Sequence, residues 1–368
     1  MGLDIRNALI KGPVLVTGGC GFIGGAIVHA LADEGRDVRV VSPHCHSFRS
    51  DVRFLNVDIR DLSALVRACQ GCETVIHCAS VVQTRNTARD EMWSVNYGGT
   101  VNVIEACRRA GVRKLVHISS ASVVFEGRDI EAGDETLPYA EVSMSAYVDS
   151  KIEAERRVLE FATEDVTRAC ALRPHLVFGP GDQRFLPNIL KRADGAGIRE
   201  VGRREKLSDF VYVDNVVDAV LAAERALDSN GLVSGQAYFV TNAEPVPFFE
   251  FIERLLMASG YGPIRRRIPY WVAYAGAGIV EGFHAVIRRG LVPEDGLSRF
   301  AVRYLNTHHY FRIDKACRDL HWQPRVSLAE GIARTADSLH DSAYDRALRV
   351  QQEPSIAKEP DDKGDVPR

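Results

Sequence analysis

The feature that most constrains the fold is a glycine-rich loop between an apolar strand and a helix. The predicted strand is Val14–Thr17, and the predicted helix begins at Phe22. Between and just beyond them lie Gly18, Gly21 and Gly24. In such a unit the first glycine permits a tight turn, the second lets the backbone approach a pyrophosphate, and the third lets helix and strand pack closely. The helix N-terminus adds free N–H groups and partial positive charge. The loop therefore predicts a dinucleotide-binding site.

Beyond this loop, apolar strands alternate with helices through the first half of the chain. The further predicted strands are 37–41, 53–57, 74–78, 114–119 and 167–172, and the main predicted helices are 22–34, 62–70, 93–110 and 147–162. This alternation predicts an α/β fold with a doubly wound parallel sheet of the Rossmann type. Ligands of such sheets bind beyond the carboxyl ends of the strands.

The strict alternation fades after Pro174, which indicates a second, smaller lobe. We expect a dinucleotide-binding domain over residues 12–180 with a returning segment, 206–240. Residues 181–205 and 241–340 are expected to form the substrate lobe. The tail 351–368, rich in Pro, Asp, Glu and Lys, is expected to be disordered.

Composition excludes several classes of function. A formal net charge of −3 argues against nucleic-acid binding, which requires a basic face. The eight cysteines show no repeated spacing, so we expect reduced thiols and no metal site. Accordingly, Cys69 and Cys72 are interpreted as a helix end and turn, and the His44–His46 segment as a polar loop. Residues 1–12 lack the pattern of a signal peptide, and we expect a cytoplasmic protein.

A second motif, Tyr147 and Lys151, supplies candidate acid/base chemistry. The two residues are four apart on a predicted helix and share one face. A free phenol, with a pKa of about 10, is a poor base at neutral pH. A cation about 4 Å away contributes about 4 kcal/mol at an effective dielectric constant of about 20, or roughly three pKa units. We therefore expect Tyr147 to act as general acid/base, with Lys151 lowering its pKa and holding the nicotinamide ribose.

Serines at the end of the fifth strand complete the predicted catalytic group. Ser120 is placed to hydrogen-bond the substrate oxygen and to stabilise its charge during hydride transfer, with Ser122 as second choice. The alternative for either serine is that it only caps the turn of the chain. Asn96, early in the preceding helix, is expected either to bond nearby backbone or to hold a proton-relay water. Its alternative is a purely structural role.

The remaining predicted cofactor contacts lie at the helix start or at strand ends. Asp58 is placed to contact the adenine, or instead to cap the following helix. Ser42, at the end of the second strand, could accept a bond from a ribose hydroxyl, whereas Arg49 or His44 could reach a 2′-phosphate. Either NAD or NADP is therefore compatible, and NAD is slightly favoured. The other predicted contacts are Phe22, Ile23, Ile59, Ala79 and Pro174.

From residue 13 to about 340 these elements resemble the extended short-chain dehydrogenase/reductase superfamily. Longer segments resemble its 3β-hydroxysteroid dehydrogenase branch, and most closely the decarboxylating sterol-4α-carboxylate 3-dehydrogenases of sterol C4 demethylation. These segments are Ser119–Ile130, Leu172–Asp182, Thr241–Pro247 and Ile268–Tyr274.

The resemblance implies an oxidoreductase acting on a sterol or another apolar hydroxy or oxo acid. The implied reaction oxidises the 3β-hydroxyl of a 4α-carboxysterol with NAD(P), and the resulting β-keto acid loses CO2 through an enol. Tyr147, Lys151 and Ser120 take the family's catalytic roles. Pro174 and His175 are expected to border the nicotinamide, His175 chiefly through packing. The two long helices suit the homodimer common in this superfamily.

The stretch 265–289 is apolar but interrupted, because Glu281 and His284 fall within it. A spanning helix is therefore not expected. Basic flanks and the aromatic residues Tyr270, Trp271 and Tyr274 suit peripheral contact with a membrane surface. The alternative is a helix that covers an apolar substrate pocket.

Other functions remain open on the sequence alone. One is an NADPH-dependent reductase of long-chain 2-alkyl-3-oxo acids, and another is a 3β-hydroxysteroid dehydrogenase/isomerase. A sugar-nucleotide epimerase is disfavoured by the apolar residues of the substrate lobe. A dinucleotide-sensing regulator without turnover is disfavoured because Tyr147 and Lys151 are both present.

Overall fold

A computed structural model describes residues 12–44, 48–82, 89–143, 145–164, 166–195, 197–287 and 298–340. The predicted tail 351–368 and residues 45–46 of the polar loop lie outside these ranges.

The strands are short and mostly buried. In chain order they are β1 (Val14–Thr17), β2 (Val38–Ser42), β3 (Arg53–Asn56), β4 (Thr74–His77), β5 (Lys114–Ile118), β6 (Ile130–Gly133), β7 (Arg168–Pro174), β8 (Leu176–Phe178), β9 (Arg199–Val201), β10 (Leu207–Ser208), β11 (Phe210–Tyr212), β12 (Ala237–Val240), β13 (Val246–Pro247), β14 (Arg266–Ile268) and β15 (His309–Phe311).

The helices separate most of these strands. They are α1 (Phe22–Asp33), α2 (Leu62–Cys69), α3 (Arg89–Met92), α4 (Gly99–Ala110), α5 (Ala146–Glu164), α6 (Phe185–Asp194), α7 (Val213–Ser229), α8 (Phe248–Ala258), α9 (Tyr270–Ile287), α10 (Arg299–Tyr304), α11 (Asp314–Leu320) and α12 (Leu328–His340).

Seven strands form the central sheet in the order β3-β2-β1-β4-β5-β7-β12. Every neighbouring pair in this sheet is parallel. The predicted doubly wound parallel sheet is therefore confirmed. The seventh strand, β12, was not predicted; it lies within the returning segment and pairs with β7. The strand order reverses between β1 and β4, and this switch point opens a crevice at the carboxyl ends of these strands.

Helices cover both faces of the central sheet. On one face α1, α7 and α11 bury a cluster that includes Ile27, Leu31 and Val220. On the other, α2, α4 and α5 bury a second cluster around Leu65 and Ile104. Burial on both faces explains why the central strands are continuous apolar runs rather than alternating ones.

The predicted helix 93–110 is not regular along its whole length. Residues Trp93–Gly98 form a π-helical turn that leads directly into α4. The hydroxyl of Thr100 donates to the carbonyl of Asn96 at 2.5 Å. A Cβ at Gly99 would overlap the side chain of Ile59. The wider turn and this close approach hold Asn96 in a buried position.

The second lobe combines small sheets with helices from separate parts of the chain. One sheet has the order β13-β10-β15-β6, and β11–β8 and β14–β9 form two-stranded sheets. Aromatic side chains of α8 and β11 form its core, where Phe210 and Phe251 stack with centroids 3.7 Å apart. None of the helices in the described ranges is both long enough and apolar enough to cross a bilayer.

Candidate active site

The loop after β1 has the backbone that only glycine accommodates easily. Gly18 has φ +67°, and a Cβ there would lie 2.7 Å from the Cα of Ala79. A Cβ at Gly24 would overlap the carbonyl oxygen of Gly18. Gly18 therefore allows the strand after β4 to approach the loop, and Gly24 allows α1 to pack against it.

The first turn of α1 is suited to binding an anion. Gly21 is its N-cap and supplies no side-chain cap, so the first-turn N–H groups, including those of Phe22 and Ile23, retain no side-chain acceptor. Together with the glycine cradle, this arrangement fits the pyrophosphate of a dinucleotide. Cys20, within the same loop, is disulfide-bonded, so the expectation of reduced thiols is wrong there. Cys69 and Cys72 form no disulfide.

Buried hydrogen bonds fix the crevice between β1 and β4. The Thr17 hydroxyl lies 2.7 Å from Nδ1 of His77, and the Thr100 hydroxyl lies 2.9 Å from Nε2 of the same ring. The N–H of Ala79 donates to the Thr17 hydroxyl oxygen at 3.2 Å. Ala79 therefore lies directly beside the glycine loop, and its contact with the cofactor stays a prediction. Pro174 ends β7 at the same edge of the sheet and pairs with Val240.

The residues predicted near the adenosine lie at the ends of β2 and β3. Ser42 is the last residue of β2, and Ile59 is buried behind the loop after β3. Asp58 is not the helix cap that was considered for it, because Asp61 caps α2 by accepting from the N–H of Ala64. Asp58 instead accepts hydrogen bonds from Arg60, which lower the pKa of its carboxyl.

Arg49, the candidate for a 2′-phosphate, is already engaged by two carboxylates. Its guanidinium lies 2.6 Å from Asp33 and 2.8 Å from Asp51. The positive charge of Arg49 is therefore largely compensated within the protein.

Tyr147 and Ser120 come together at the wall of a large cavity. The hydroxyls of Ser120 and Ser122 lie 2.8 Å apart, and both serines line the cavity with Tyr147. Burial raises the pKa of the Tyr147 phenol. A hydrogen bond with Ser120 and the charge of Arg184 lower this pKa, but by less than burial raises it. The expectation that Lys151 brings the pKa of Tyr147 towards neutrality is therefore wrong for this structure, because burial dominates.

Lys151 is held beneath the site rather than at its surface. Its amine donates to the carbonyl of Ile118, at the end of β5, at 2.6 Å. Burial lowers the pKa of Lys151 to about 8. The amine thus remains mostly protonated at neutral pH, and it directs a positive charge towards the end of β5.

Asn96 links the crevice to the helix that carries the Tyr–Lys pair. Its side-chain oxygen accepts from the Val81 N–H at 2.7 Å and from the Ser80 hydroxyl at 3.1 Å. Its amide nitrogen donates to the Val81 carbonyl at 2.9 Å and to the Ser150 hydroxyl at 3.1 Å. Of the predicted roles, the structure supports bonding to backbone near the site. The π-helical turn is what directs this side chain towards both partners.

The cavity has a volume of about 720 Å³ and a mainly apolar lining. Ser120, Ser122 and Tyr147 are among its polar lining residues. Many apolar lining residues come from α6, α8, α10 and the adjoining strands; they include Leu176, Val177, Phe185, Ile189, Phe248, Phe249, Ile252, Phe300 and Leu305. Such a lining suits a large, apolar ligand with few polar groups.

Sequence analysis missed Tyr304 and His309, which accompany His175 at the cavity. The Tyr304 hydroxyl lies 3.1 Å from Nε2 of His175, whose Nδ1 lies 2.6 Å from the carbonyl oxygen of Asp209. Nδ1 of His309 lies 3.2 Å from the same Nε2. Burial lowers the pKa of both histidines, so both are neutral at pH 7. No local motif marks Tyr304, because α10 reaches the cavity only through the fold of the second lobe.

The glycine cradle, the switch-point crevice and the Tyr147–Lys151 pair define an extended short-chain dehydrogenase/reductase. A model of the 3-beta hydroxysteroid dehydrogenase/isomerase family matches residues 15–269, and the chain belongs to this family. It is therefore an oxidoreductase, and the predicted family and fold class are confirmed.

Two curated relatives and one solved structure illustrate this assignment. Sterol-4-alpha-carboxylate 3-dehydrogenase, decarboxylating, of Mus musculus is 36% identical over 94% of this chain and 96% of its own length. The 2-alkyl-3-oxoalkanoate reductase of Shewanella oneidensis is 33% identical over 88% of this chain and 85% of its own. The UDP-glucose 4-epimerase of Thermus thermophilus, solved with NAD, has a TM-score of 0.68 at 24% identity, over 90% of this chain and 99% of its own.

Proposed function

We propose that this protein oxidises the 3β-hydroxyl of a 4α-carboxysterol with NAD(P) and that CO2 is then lost to give a 3-ketosterol. The observation that carries the proposal is the position of Tyr147 and Ser120 at the wall of a mainly apolar cavity of about 720 Å³. A sterol presents one reacting oxygen on a rigid apolar body, which suits a mainly apolar cavity with hydroxyl groups at one part of its wall. The relative from Mus musculus supports the choice of substrate.

In the proposed reaction, Ser120 and Tyr147 hydrogen-bond the carbinol oxygen, and Tyr147 accepts its proton. The glycine loop and the first turn of α1 would hold the dinucleotide, whose nicotinamide would supply the acceptor for the hydride of the carbinol carbon. Lys151, with its pKa of about 8, holds a positive charge below the reacting oxygen. That charge favours the deprotonated form of Tyr147 once the amine turns from the Ile118 carbonyl towards the ribose.

Loss of CO2 requires no further group on the protein. Oxidation places a ketone β to the carboxylate, so the electron pair of the breaking C–C bond moves into an enolate. Ser120 and Tyr147 then stabilise the same oxygen as an enol. The two steps therefore share one set of hydrogen-bond donors.

We propose a dinucleotide-binding domain over 12–180 with 206–240, a substrate lobe over 181–205 and 241–340, and NAD as the preferred cofactor. Pairing of Arg49 with Asp33 and Asp51 supports the choice of NAD, since a 2′-phosphate would have to compete with two carboxylates. The ratio of kcat/KM for NAD to that for NADP tests it. We expect Arg49→Gln to leave this ratio nearly unchanged. A large loss of NADP use in that variant would contradict the choice.

The second candidate is an NADPH-dependent reductase of a 2-alkyl-3-oxo acid, which the relative from Shewanella oneidensis favours. The two reactions run in opposite directions through the same residues. Parallel assays of reduced nicotinamide, formed from a 4α-carboxysterol or consumed by a 2-alkyl-3-oxo acid, separate them. Faster oxidation of the sterol supports our proposal, and reduction of the oxo acid alone overturns it.

We further propose a cytoplasmic homodimer that binds a membrane surface through α9. The exposed face of α9 carries Trp271, Ile279 and Phe283, whose exposed fractions are 71%, 73% and 54%. Arg265–Arg267 precede this helix, and such a basic, aromatic-rich surface suits anionic lipid. Flotation with anionic vesicles tests the contact, with the triple serine variant of these three residues as control. Absence of flotation of the wild type at low salt would contradict it, and sedimentation analysis tests the dimer.

A further inference from the structure

Three arginines line the substrate cavity. Arg184 immediately precedes α6, Arg192 lies in its last turn, and Arg199 begins β9. Among the described residues that line the cavity there is no aspartate or glutamate. An apolar-walled cavity lined by cations alone favours an anionic ligand over a neutral one of the same shape.

Arg184 lines the same cavity as Tyr147 and Ser120. Its charge acts on Tyr147, where it lowers the pKa of the phenol. The carboxylate of Asp182 is occupied by the backbone N–H groups of Arg184, Phe185 and Leu186, at 2.8, 3.1 and 2.8 Å. Within the described ranges no hydrogen bond or ion pair engages the guanidinium of Arg184. This cation therefore lies in the lining of the same cavity as the phenol and is available to a ligand there.

The chemistry of the proposed substrate suits a cation at this position. In a 4α-carboxysterol the carboxyl carbon is attached to the neighbour of the carbinol carbon. When the carbinol oxygen lies against Tyr147, a carboxylate oxygen must lie within hydrogen-bonding range of it, roughly 3 Å away. A guanidinium beside Tyr147 can bind that carboxylate through two parallel N–H donors.

We propose that Arg184 binds the substrate carboxylate. The site then selects substrates that carry a carboxylate next to the reacting carbinol. This inference rests on the proposed function. Arg199, at the start of β9, adds a further cation to the cavity lining, and its charge also attracts an anion.

The arrangement also bears on release of the product. After CO2 is lost, the ketone no longer carries the group that Arg184 holds. The affinity for the product should then fall to that of a neutral sterol. The same contact that selects the acid therefore limits inhibition by the ketone.

Ligand binding tests the inference independently of turnover. The dissociation constants of a 4α-carboxy-3β-hydroxysterol and of its methyl ester are measured by calorimetry on protein loaded with NADH, which cannot accept a hydride. For the wild type we expect the acid to bind about 30- to 100-fold more tightly than the ester. Arg184→Met should abolish this preference, and Arg184→Lys should retain part of it. Arg254→Met, an exposed arginine of α8 that does not line the cavity, should leave it unchanged.

Two results would overturn the inference. One is an Arg184→Met protein that still prefers the acid, and the other is an Arg184→Met protein whose affinities for acid and ester fall by the same factor. Failure of the proposed function looks different. A wild type that prefers the acid but oxidises it with neither NAD nor NADP refutes the reaction and leaves the role of Arg184 intact. A wild type that oxidises acid and ester equally well refutes the role of Arg184 and leaves the dehydrogenase intact.

Discussion

The dinucleotide loop and the substrate cavity differ in how their residues are distributed along the chain. Residues 17–24 make most of the loop, and its predicted contacts with the cofactor come from backbone atoms. The cavity takes side chains from separate stretches between Val82 and Leu305. Tyr147, near the start of α5, belongs to the cavity wall. A change in the loop should therefore affect every substrate alike, whereas a change in the cavity should affect some substrates more than others.

The largest effect is expected at the proposed base in the cavity wall. Tyr147→Phe removes the proposed base, so kcat/KM should fall about 1,000-fold for any substrate. Affinity for NADH, measured by fluorescence, should change little. Tyr310→Phe, a tyrosine of β15 outside the cavity lining, provides the control. Turnover retained in Tyr147→Phe would refute the assigned base.

A change in the loop should weaken cofactor binding without altering substrate preference. In Gly18→Ala the new Cβ meets the backbone of Ala79, and the resulting displacement should cost about 1–3 kcal/mol, or roughly 10- to 100-fold in NADH affinity. Gly35→Ala is a matched control, because Gly35 has φ +73° but a Cβ added there would have no neighbouring atom within 4 Å. Equal losses of NADH affinity in both variants would mean that backbone strain alone, not the cradle, is responsible.

Lys151 should lower the free energy of unfolding of the protein, although the proposed reaction needs its charge. Burial depresses its pKa from 10.5 to about 8, which corresponds to about 3 kcal/mol. In Lys151→Met the hydrogen bond to the Ile118 carbonyl is also lost, which lowers stability by about 1 kcal/mol and offsets part of this gain. Lys151→Met without cofactor should therefore be about 2 kcal/mol more stable than the wild type at pH 7, by urea denaturation.

The pH dependence of this difference has a defined sign. Between pH 8 and 10.5 the unfolded wild type binds more protons at this lysine than the folded protein does. The unfolding free energy of the wild type should therefore rise relative to that of Lys151→Met across this window, and the difference should shrink. A constant difference from pH 7 to 10.5 would contradict the depressed pKa.

The smallest effect is expected at a cavity residue that does not react. Tyr304→Phe removes a hydrogen-bond partner of His175, which should lower stability by about 1–2 kcal/mol. Its kcat/KM should change less than about 10-fold, and unequally between a sterol and a linear oxo acid. A loss as large as that of Tyr147→Phe, for both substrates, would place Tyr304 among the reacting groups.

The sequence predicted what local patterns encode. Gly18 and Gly24 stand in the strand–loop–helix context that requires glycine, and the structure shows the close approaches that exclude a Cβ. The position of Tyr304 could not be predicted, because only the packing of α10 in the second lobe brings it to His175. The pKa of Tyr147 was also mispredicted: four-residue spacing places Lys151 on the same helix face, but it does not reveal that the amine bonds the Ile118 carbonyl.

The most direct test of the central claim is to incubate the purified protein with a 4α-carboxysterol, with NAD and NADP in separate reactions, and to identify products by mass. We predict a 3-ketosterol that has lost CO2, formed faster with NAD. No product with either cofactor, in a preparation that binds dinucleotide normally, would contradict the account.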